Sequence, residues 1–301
     1  MCIRDSYYIV SEYGSDLHIL RCNISYGGAR KSYKKKAAFI IKTINSVIDN
    51  CIIYNCSYGI ILHSSCQVSI SNCYIYNNVV GIRLRKSRLN TIEKNVFLSN
   101  QKALELDDDS NDTIINNLFL GNNLGITLYG KTCTISNNTF DNCTTCIRLS
   151  YGSNNKVENN ILMSHNTGIR IYNSLNNSIN NNIITDGKKG ISVDGKHNIL
   201  VNNTIDNNDE VGIELDDYFN TIYLCIIEHS KQGIYIPGSN NTINMTYIYN
   251  CEYAGIIIEG DSNTLLCCEV SNNDITGICI TGDNNYIYMN SIENNTNLGI
   301  L

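Results

Sequence analysis

The chain returns to one short pattern every 21 or 22 residues, and this period constrains the fold more than any other feature. A small residue followed by apolar-x-apolar occurs thirteen times, and ten of the twelve intervals are 22 residues long. The small residues are Ala37, Gly59, Gly81, Ala103, Gly125, Cys146, Gly168, Gly190, Gly212, Gly233, Gly255, Gly277 and Gly299. So regular a period predicts a stacked array in which each repeat contacts mainly its neighbours.

Each repeat contains three short apolar strips. Two apolar positions five residues apart, such as Ile114 and Phe119 or Ile179 and Ile184, follow the small-residue strip. The strips are too short for helices, and the first alternates with period 2, as a strand with one buried face does. Three strands with tight turns between them predict one three-sided coil per repeat.

Asparagine recurs three residues after the second strip's apolar position. This column contains Asn95, Asn117, Asn138, Asn160, Asn182, Asn203 and Asn290, with Cys or Thr in the other repeats. Asn tolerates left-handed turn conformations, and stacked Asn side chains can bond from one rung to the next. We therefore predict a structural ladder, which requires parallel coils in register.

The combination of Gly-Ile-x-Ile, Asn-Thr-Ile-x-x-Asn and x-Ile-x-x-Asn resembles the right-handed parallel β-helix repeats of the pectin-lyase-like superfamily, and in particular NosD-type proteins. The resemblance covers roughly residues 37–301 and implies an all-β fold, a β-solenoid of about 13 coils with three short strands per coil. It also implies an extracellular, cell-surface or periplasmic location. Leucine-rich repeats have a similar period, but they require a Leu-rich frame that this chain lacks.

We expect an irregular N-terminal segment over 1–36, with a partial coil and a basic loop at 30–36, followed by one β-helix domain over 37–301. Residues 1–6 fit none of the repeating positions, and we interpret them as an artefact of sequence assembly. The chain stops within the first strand of a new coil, so we expect a truncated C-terminus. The oligomeric state is left open.

Composition limits the partners and the chemistry. A net charge of −6 and a pI near 5.4 argue against nucleic acid as a partner. No apolar run is long enough to span a membrane. The fourteen cysteines fall mostly in inward or turn columns, as small buried thiols do, and the five histidines occupy different phases of the repeat. No cofactor is implied.

The motifs of the family's polygalacturonase-like and mannuronan epimerase-like enzymes are absent, because the chain has no Gly-His-Gly and its single proline is not in Asp-Pro-His. The outward positions of the first strip nevertheless combine aromatic rings, arginines and acids, as a glycan-binding strip does. The candidate residues are Tyr129, Arg148, Tyr151, Arg170, Tyr172, Asp194, Glu214 and Asp216. Arg148 and Arg170 are expected on adjacent coils, about 5 Å apart. A solvated sheet face with surface ion pairs is the alternative interpretation.

Calcium is an open alternative at Asp107, Asp108, Asp109 and Asp112, which we place in and after a first strip. A solvated turn would contain the same residues.

Three functions follow from these patterns. A secreted or surface-exposed, non-enzymatic scaffold that binds a polysaccharide or cell-surface glycan, or supports adhesion, is the main hypothesis, because no catalytic constellation is intact. A polysaccharide lyase or hydrolase is the alternative, in which Asp194, Glu214 and Asp216 surround a cation beside Arg170. A NosD-like accessory protein for copper-cofactor maturation is the second alternative, based on the soft column Met245, Cys267 and Met289.

Overall fold

The computed structural model describes residues 2–3, 9–11, 16–25 and 37–301. It divides into two compact units, Met1–Asn155 and Lys156–Leu301, and each is considered by itself. The described residues are built of short strands and turns, with no helix long and apolar enough to cross a lipid bilayer. The basic loop predicted at 30–36 lies outside the described residues. The domain boundaries predicted from the sequence stay predictions.

The described residues of the first unit contain twenty strands. They are β1 (Cys2–Ile3), β2 (Ile9–Ser11), β3 (His18–Leu20), β4 (Asn23–Ser25), β5 (Ala37–Ile41), β6 (Val47–Asp49), β7 (Ile52–Tyr54), β8 (Tyr58–His63), β9 (Ser69–Ser71), β10 (Tyr74–Tyr76), β11 (Val80–Arg85), β12 (Thr91–Glu93), β13 (Val96–Leu98), β14 (Lys102–Ser110), β15 (Thr113–Ile115), β16 (Leu118–Leu120), β17 (Leu124–Lys131), β18 (Thr134–Ser136), β19 (Thr139–Asp141) and β20 (Thr145–Ser150).

The second unit contains eighteen strands. They are β21 (Lys156–Glu158), β22 (Ile161–Leu175), β23 (Ser178–Asn180), β24 (Ile183–Lys196), β25 (Ile199–Val201), β26 (Thr204–Leu215), β27 (Thr221–Tyr223), β28 (Ile226–Glu228), β29 (Gln232–Ile236), β30 (Thr242–Asn244), β31 (Tyr247–Tyr249), β32 (Ala254–Ile258), β33 (Thr264–Leu266), β34 (Glu269–Ser271), β35 (Thr276–Ile280), β36 (Tyr286–Tyr288), β37 (Ser291–Glu293) and β38 (Leu298–Ile300).

Strands pair in parallel with their equivalents in the next coil, in the register that the sequence period predicts. In the first unit, Ile82 pairs with Ile60 on one side and Leu104 on the other. Ile222 of the second unit pairs with Leu200 and Ile243 in the same way. The predicted all-β parallel β-helix fold is therefore confirmed. Short strands within residues 1–36 join the pattern, since β3 pairs with β6 and β4 with β7.

Most three-residue strands bury only their central side chain, as in β12, where Ile92 is fully buried between half-buried Thr91 and Glu93. Burying one such side chain contributes about 1.5–3 kcal/mol, so many coils together build the core. Phe97, Phe119 and Phe140 stack inside the first unit with ring centroids 4.7 and 4.5 Å apart.

The Asn column forms rung-to-rung hydrogen bonds within each unit. Asn95 donates from its backbone N–H and from Nδ2 to Oδ1 of Asn117, both at 3.0 Å, and its Nδ2 also donates to the Ile70 carbonyl at 2.9 Å. Asn160 and Asn182 repeat the inter-coil bonds in the second unit. Left-handed backbone occurs one residue earlier, for example at Lys94 with φ 53°. The ladder therefore uses Asn for its hydrogen bonds. The tolerance of left-handed backbone, which the sequence analysis assigns to the ladder Asn, is needed instead at the residue before it.

Candidate functional site

The outward side chains of the small-residue strands form one column per unit. We call these strands the first-position strands, and in the first unit they are β5, β8, β11, β14, β17 and β20. Arg83 pairs with Ile61 and Glu105, and Thr127 pairs with Glu105 and Arg148. Several outward residues are nonetheless nearly covered, with Glu105 only 7% exposed and Thr127 1%. Neighbouring side chains therefore cover these outward residues from solvent.

Charged side chains of β11 and β14 pair across this column. Arg83 Nη2 donates to Asp107 Oδ2 at 2.7 Å, and its Nε lies 3.6 Å from Glu105 Oε2. Lys102 Nζ donates to Glu105 Oε1 at 2.9 Å. Arg85 lies farther from Asp107, at 3.9 Å. This part of the face is a network of ion pairs, in which charges of opposite sign lie next to one another.

A hollow lies beside β17 and β20, between two tyrosines. Tyr129 and Tyr151 line it together with Asp108, Lys131 and Gly130. A Cβ at Gly130 would approach the Asp109 carbonyl oxygen to 2.5 Å, so a side chain does not fit at that position. Tyr151 has left-handed backbone, with φ 55°, and is 67% exposed. Aromatic rings beside charged groups of both signs can accept a sugar ring.

Arg148 follows in the same unit, at the outward column of β20. Its Nε donates to Ser150 Oγ at 3.0 Å, and Ser150 is fully buried. This contact directs the guanidinium along the strand. Arg148 belongs to the first unit and Arg170 to the second, so their predicted separation stays a prediction.

The second unit presents a different set of groups on its outward column. Arg170, Ser192, Glu214 and Tyr235 are successive partners along β22, β24, β26 and β29, and Tyr172 pairs with Asp194 beside them. The Arg170 guanidinium lies 6.0 Å from the centre of the Tyr172 ring. Arg170 is exposed and forms no ion pair with any residue that the structure describes. A cation beside an aromatic face therefore remains available to a ligand.

Lys189 and Glu214 form the strongest ion pair of this column. Lys189 Nζ donates to both carboxylate oxygens, at 2.9 and 2.8 Å. Asp216 lies beyond Glu214, with part of its side chain exposed and the rest against the sheet. Burial of that part, and next the negative charge of Glu214, raise the pKa of Asp216 to about 6, Asp194 adds to this effect, and the charges of Lys189 and Arg170 oppose it. A carboxyl group with a pKa in this range can act as a general acid or base.

Tyr235 and Glu259 continue the polar surface. The Tyr235 hydroxyl donates to Glu259 Oε2 at 2.6 Å, and this bond, with partial burial, raises the pKa of Tyr235 to about 12. Tyr235 consequently stays a neutral hydrogen-bonding group under ordinary conditions.

The acidic residues considered for calcium are arranged differently from a solvated turn. β14 continues through Ser110, and Asp109 and Asp112 are 2% and 1% exposed. Asp109 accepts from the backbone N–H groups of Ser87 and Asp107, and Asp112 Oδ1 accepts from Asn90. Three of their four oxygens are thus used by the fold. Ca²⁺ takes six to eight converging oxygens, and calcium at Asp107, Asp108, Asp109 and Asp112 stays a prediction.

Asp112 instead occupies a second ladder that sequence analysis missed. In the first unit Asn90 donates to Asp112 Oδ1 with its backbone N–H and Nδ2, both at 2.8 Å, and Cys133 donates its N–H to Asn155 Oδ1 at 2.9 Å. In the second unit the same column contains Asn177, Asn198, Asn220, Asn241, Asn263 and Asn285. The recurrence of Asn at this phase of the 21- or 22-residue period was the signal that could have revealed it.

The soft column proposed for copper lies at turn positions. Met245, Cys267 and Met289 all have left-handed backbone, and the two methionines are exposed. The thirteen cysteines from Cys22 to Cys279 are free thiols, and most are buried.

The chain matches the family model described as right handed beta helix region over residues 3–140, 129–246 and 232–301. No curated protein sequence matches it. Among solved structures it is similar to a periplasmic alginate epimerase, with 13% identity over 88% of this chain and 78% of that chain and a TM-score of 0.64. It is also similar to a PL6 alginate lyase in complex with a trisaccharide, with 13% identity, 94% and 83% coverage and a TM-score of 0.59.

An E. coli bacteriophage tailspike protein in complex with a hexasaccharide is a third similar structure, with 11% identity over 96% of this chain and 71% of that chain and a TM-score of 0.55. At these identities the similarity shows the fold. The repeat period, the parallel register and the family model agree, and the chain belongs to the right-handed β-helix family.

Proposed function

We propose that the outward face of the first-position strands binds a polysaccharide, and that the protein works in an extracellular or periplasmic setting. The observation that carries the proposal is the Arg170–Tyr172 pair, in which an exposed guanidinium without an ion-pair partner among the described residues lies beside an aromatic ring. Sugars combine apolar ring faces with hydroxyl or carboxylate edges, and such a pair offers one group for each.

The surroundings of this pair support the same interpretation. Ser192, small and 8% exposed, separates Arg170 from Glu214 along the column, so the face has a low floor between polar groups. Asp194, Asp216 and Glu259 supply carboxylate acceptors for sugar hydroxyls. In the first unit, the hollow between Tyr129 and Tyr151 provides a second aromatic contact.

Known β-helix proteins of similar structure support a glycan as the ligand. They include an alginate epimerase, an alginate lyase with a bound trisaccharide and a tailspike with a bound hexasaccharide. The periplasmic epimerase also supports the proposed location.

A glycan array, followed by titration calorimetry with the best ligand, tests this proposal. Arg170→Ala and Tyr172→Ala should each weaken binding by at least about tenfold, since both remove a contact to the ligand. Arg170→Ala combined with Tyr172→Ala should abolish it. Lys156→Ala and Tyr286→Ala, which change exposed residues of β21 and β36 in the other sheet of the second unit, are the matched controls. Unchanged binding by the double variant would exclude the strip.

Catalysis on the bound polysaccharide is a second candidate, favoured by Asp216. A carboxyl group with a pKa of about 6, next to a carboxylate that Lys189 neutralises, can exchange protons during cleavage. Incubation with polyuronates and neutral polysaccharides, with detection of unsaturated or reducing ends, tests this activity. Turnover that is lost in Asp216→Asn while binding persists would establish it. Binding without turnover on any substrate leaves the scaffold function.

A further inference from the structure

A second cluster of side chains lies in the second unit, on strands that contain the third apolar strip of each repeat. The cluster involves the start of β26, at Thr204–Asp206, and β28, at Ile226–Glu228. Asp206 of β26 and Glu228 of β28 are register partners on neighbouring coils, and His229 follows Glu228 directly. His229 Nδ1 lies 2.9 Å from Asp206 Oδ1 and 3.7 Å from Glu228 Oε2. We propose that Asp206, Glu228 and His229 form a binding site for a divalent transition-metal ion such as Zn²⁺.

The distances between the donor atoms fit such an ion. Zn²⁺ binds imidazole nitrogen and carboxylate oxygen at about 2.0–2.2 Å, which places two ligand atoms of a tetrahedral site on the order of 3.3 Å apart. The two measured distances from Nδ1 lie on either side of this value. All three donor atoms lie within 4.8 Å of one another, so small side-chain rotations bring them onto one ion. Solvent access leaves room for water as the fourth ligand.

The chemistry of the donors selects the class of metal. One imidazole and two carboxylates suit Zn²⁺, Co²⁺ or Ni²⁺, whereas Ca²⁺ and Mg²⁺ prefer sites made of oxygen alone. Two carboxylates also balance the charge of a divalent ion. Without a metal, His229 Nδ1 and Asp206 Oδ1 form a solvent-accessible hydrogen bond, which metal binding would replace at small cost.

Neighbouring residues hold two of the three ligands in place. Asn250 Nδ2 lies 3.4 Å from His229 Nε2, the ring nitrogen that points away from the carboxylates. With Nδ1 on the metal, rotation of the Asn250 amide would let Oδ1 accept the Nε2 proton, the outer contact that metal-bound histidines usually have. Tyr249 pairs with Glu228 on the next coil, and its hydroxyl interacts with that carboxylate.

The repeat itself offers a conservative variant. His229 has left-handed backbone, with φ 47°, and the equivalent positions of adjacent coils are Asn207 and Asn250, also left-handed. His229→Asn therefore removes the nitrogen ligand while keeping a residue that the turn accepts. His197→Asn is the matched control, because His197 has φ 56°, lies in the same unit and stacks on Phe219 at 5.2 Å.

Titration of the full chain with Zn²⁺ against a chromophoric chelator, and with Co²⁺ in the visible range, tests the site. We expect one ion bound without the intense thiolate-to-cobalt absorption that cysteine ligands would give. Affinity should fall at least about tenfold in His229→Asn and in Glu228→Gln, and stay unchanged in His197→Asn. Circular dichroism melting shows whether each variant is folded.

Three results would overturn the proposal: no binding to the parent chain, equal affinity of His229→Asn and the parent, or a cobalt spectrum dominated by thiolate. This site lies on different strands from Arg170 and Tyr172. Loss of metal binding in His229→Asn and loss of glycan binding in Arg170→Ala therefore report on the two proposals separately.

Discussion

Replacing Asp112 by Asn should stabilise the first unit at neutral pH. Burial raises the pKa of Asp112 from 3.8 to about 6, although hydrogen bonds from Asn90 oppose the change. Its Oδ2 is buried and has no hydrogen-bond partner in the structure. Asn155, in the same column, donates from Nδ2 to the carbonyl of Gly130, 25 residues earlier. By this analogy the introduced amide would donate to the carbonyl of Ser87, and a protonated Asp112 would do so through Oδ2–H.

The sign and the size follow from linkage. Because the pKa of Asp112 is higher in the folded state, the folded protein binds this proton more tightly than the unfolded chain does. The contribution of Asp112 to the free energy of unfolding is therefore greatest below pH 3.8 and falls as the pH rises towards about 6. The difference between 3.8 and about 6 corresponds to about 3 kcal/mol. Asp112→Asn should therefore raise the free energy of unfolding by about 3 kcal/mol at pH 8 and change it little below pH 4.

Urea denaturation, followed by circular dichroism, measures the difference in the free energy of unfolding between variant and parent. The measurements run from about pH 3.5 to about pH 8, which roughly covers the range between the two pKa values. Asp108→Asn, which changes an exposed residue of the same coil, is the control and should stay within about 0.5 kcal/mol of the parent. Asp109, whose pKa burial raises to about 8, remains in both proteins and leaves a residual loss of stability at higher pH. An Asp112→Asn protein no more stable than the parent at pH 8, or a gain of equal size at pH 4 and pH 8, would refute this reasoning.

Three other changes test the packing and the site. Gly260→Ala should lower the free energy of unfolding by about 1–3 kcal/mol in urea denaturation, because a Cβ there would collide with the Gly238 carbonyl. Gly299→Ala, whose Cβ would meet only a side chain at 3.7 Å, is the control and should be nearly neutral. Equal losses of stability in the two variants would contradict the packing argument. Phe119→Ala should cost about 3–5 kcal/mol by interrupting the ring stack, measured in the same way, and a loss below about 1 kcal/mol would argue against that stack. If the protein cleaves a polysaccharide, the pH–rate profile of the parent should have an inflection near pH 6, and a profile without an inflection there would remove Asp216 from the reaction.

Most of the fold was predictable because the constraint is repetitive. The interval between Gly59 and Gly81 fixes the register of Ile60 with Ile82, and every later coil repeats it. The positions of exposed side chains were harder to predict, since the period places Arg83 near both Glu105 and Asp107 but does not determine which carboxylate it contacts most closely. That choice depends on rotamers and on the cover provided by flanking side chains.

The roles of single polar residues were the least predictable. The sequence leaves Asp109 and Asp112 open as calcium ligands or as residues of a solvated turn, whereas the structure buries both against backbone N–H groups. Asp206 and Glu228 share a phase of the repeat, which the sequence shows. Their meeting with His229 depends on a left-handed backbone position that recurs in adjacent coils, at Asn207 and Asn250, and on the single histidine that occupies it.

The inter-coil amide bonds have a consequence for how a gene of this kind can change in length. Each ladder Asn serves the backbone of the preceding coil, as Asn117 does for Asn95. Duplication or loss of one whole coil therefore recreates every donor–acceptor pair at the new junction. An insertion of a few residues in a strand would instead shift one winding out of phase with its neighbours and leave buried amides unpaired. Natural variation within such chains is expected to proceed in steps of a full winding, or else to be confined to the turns.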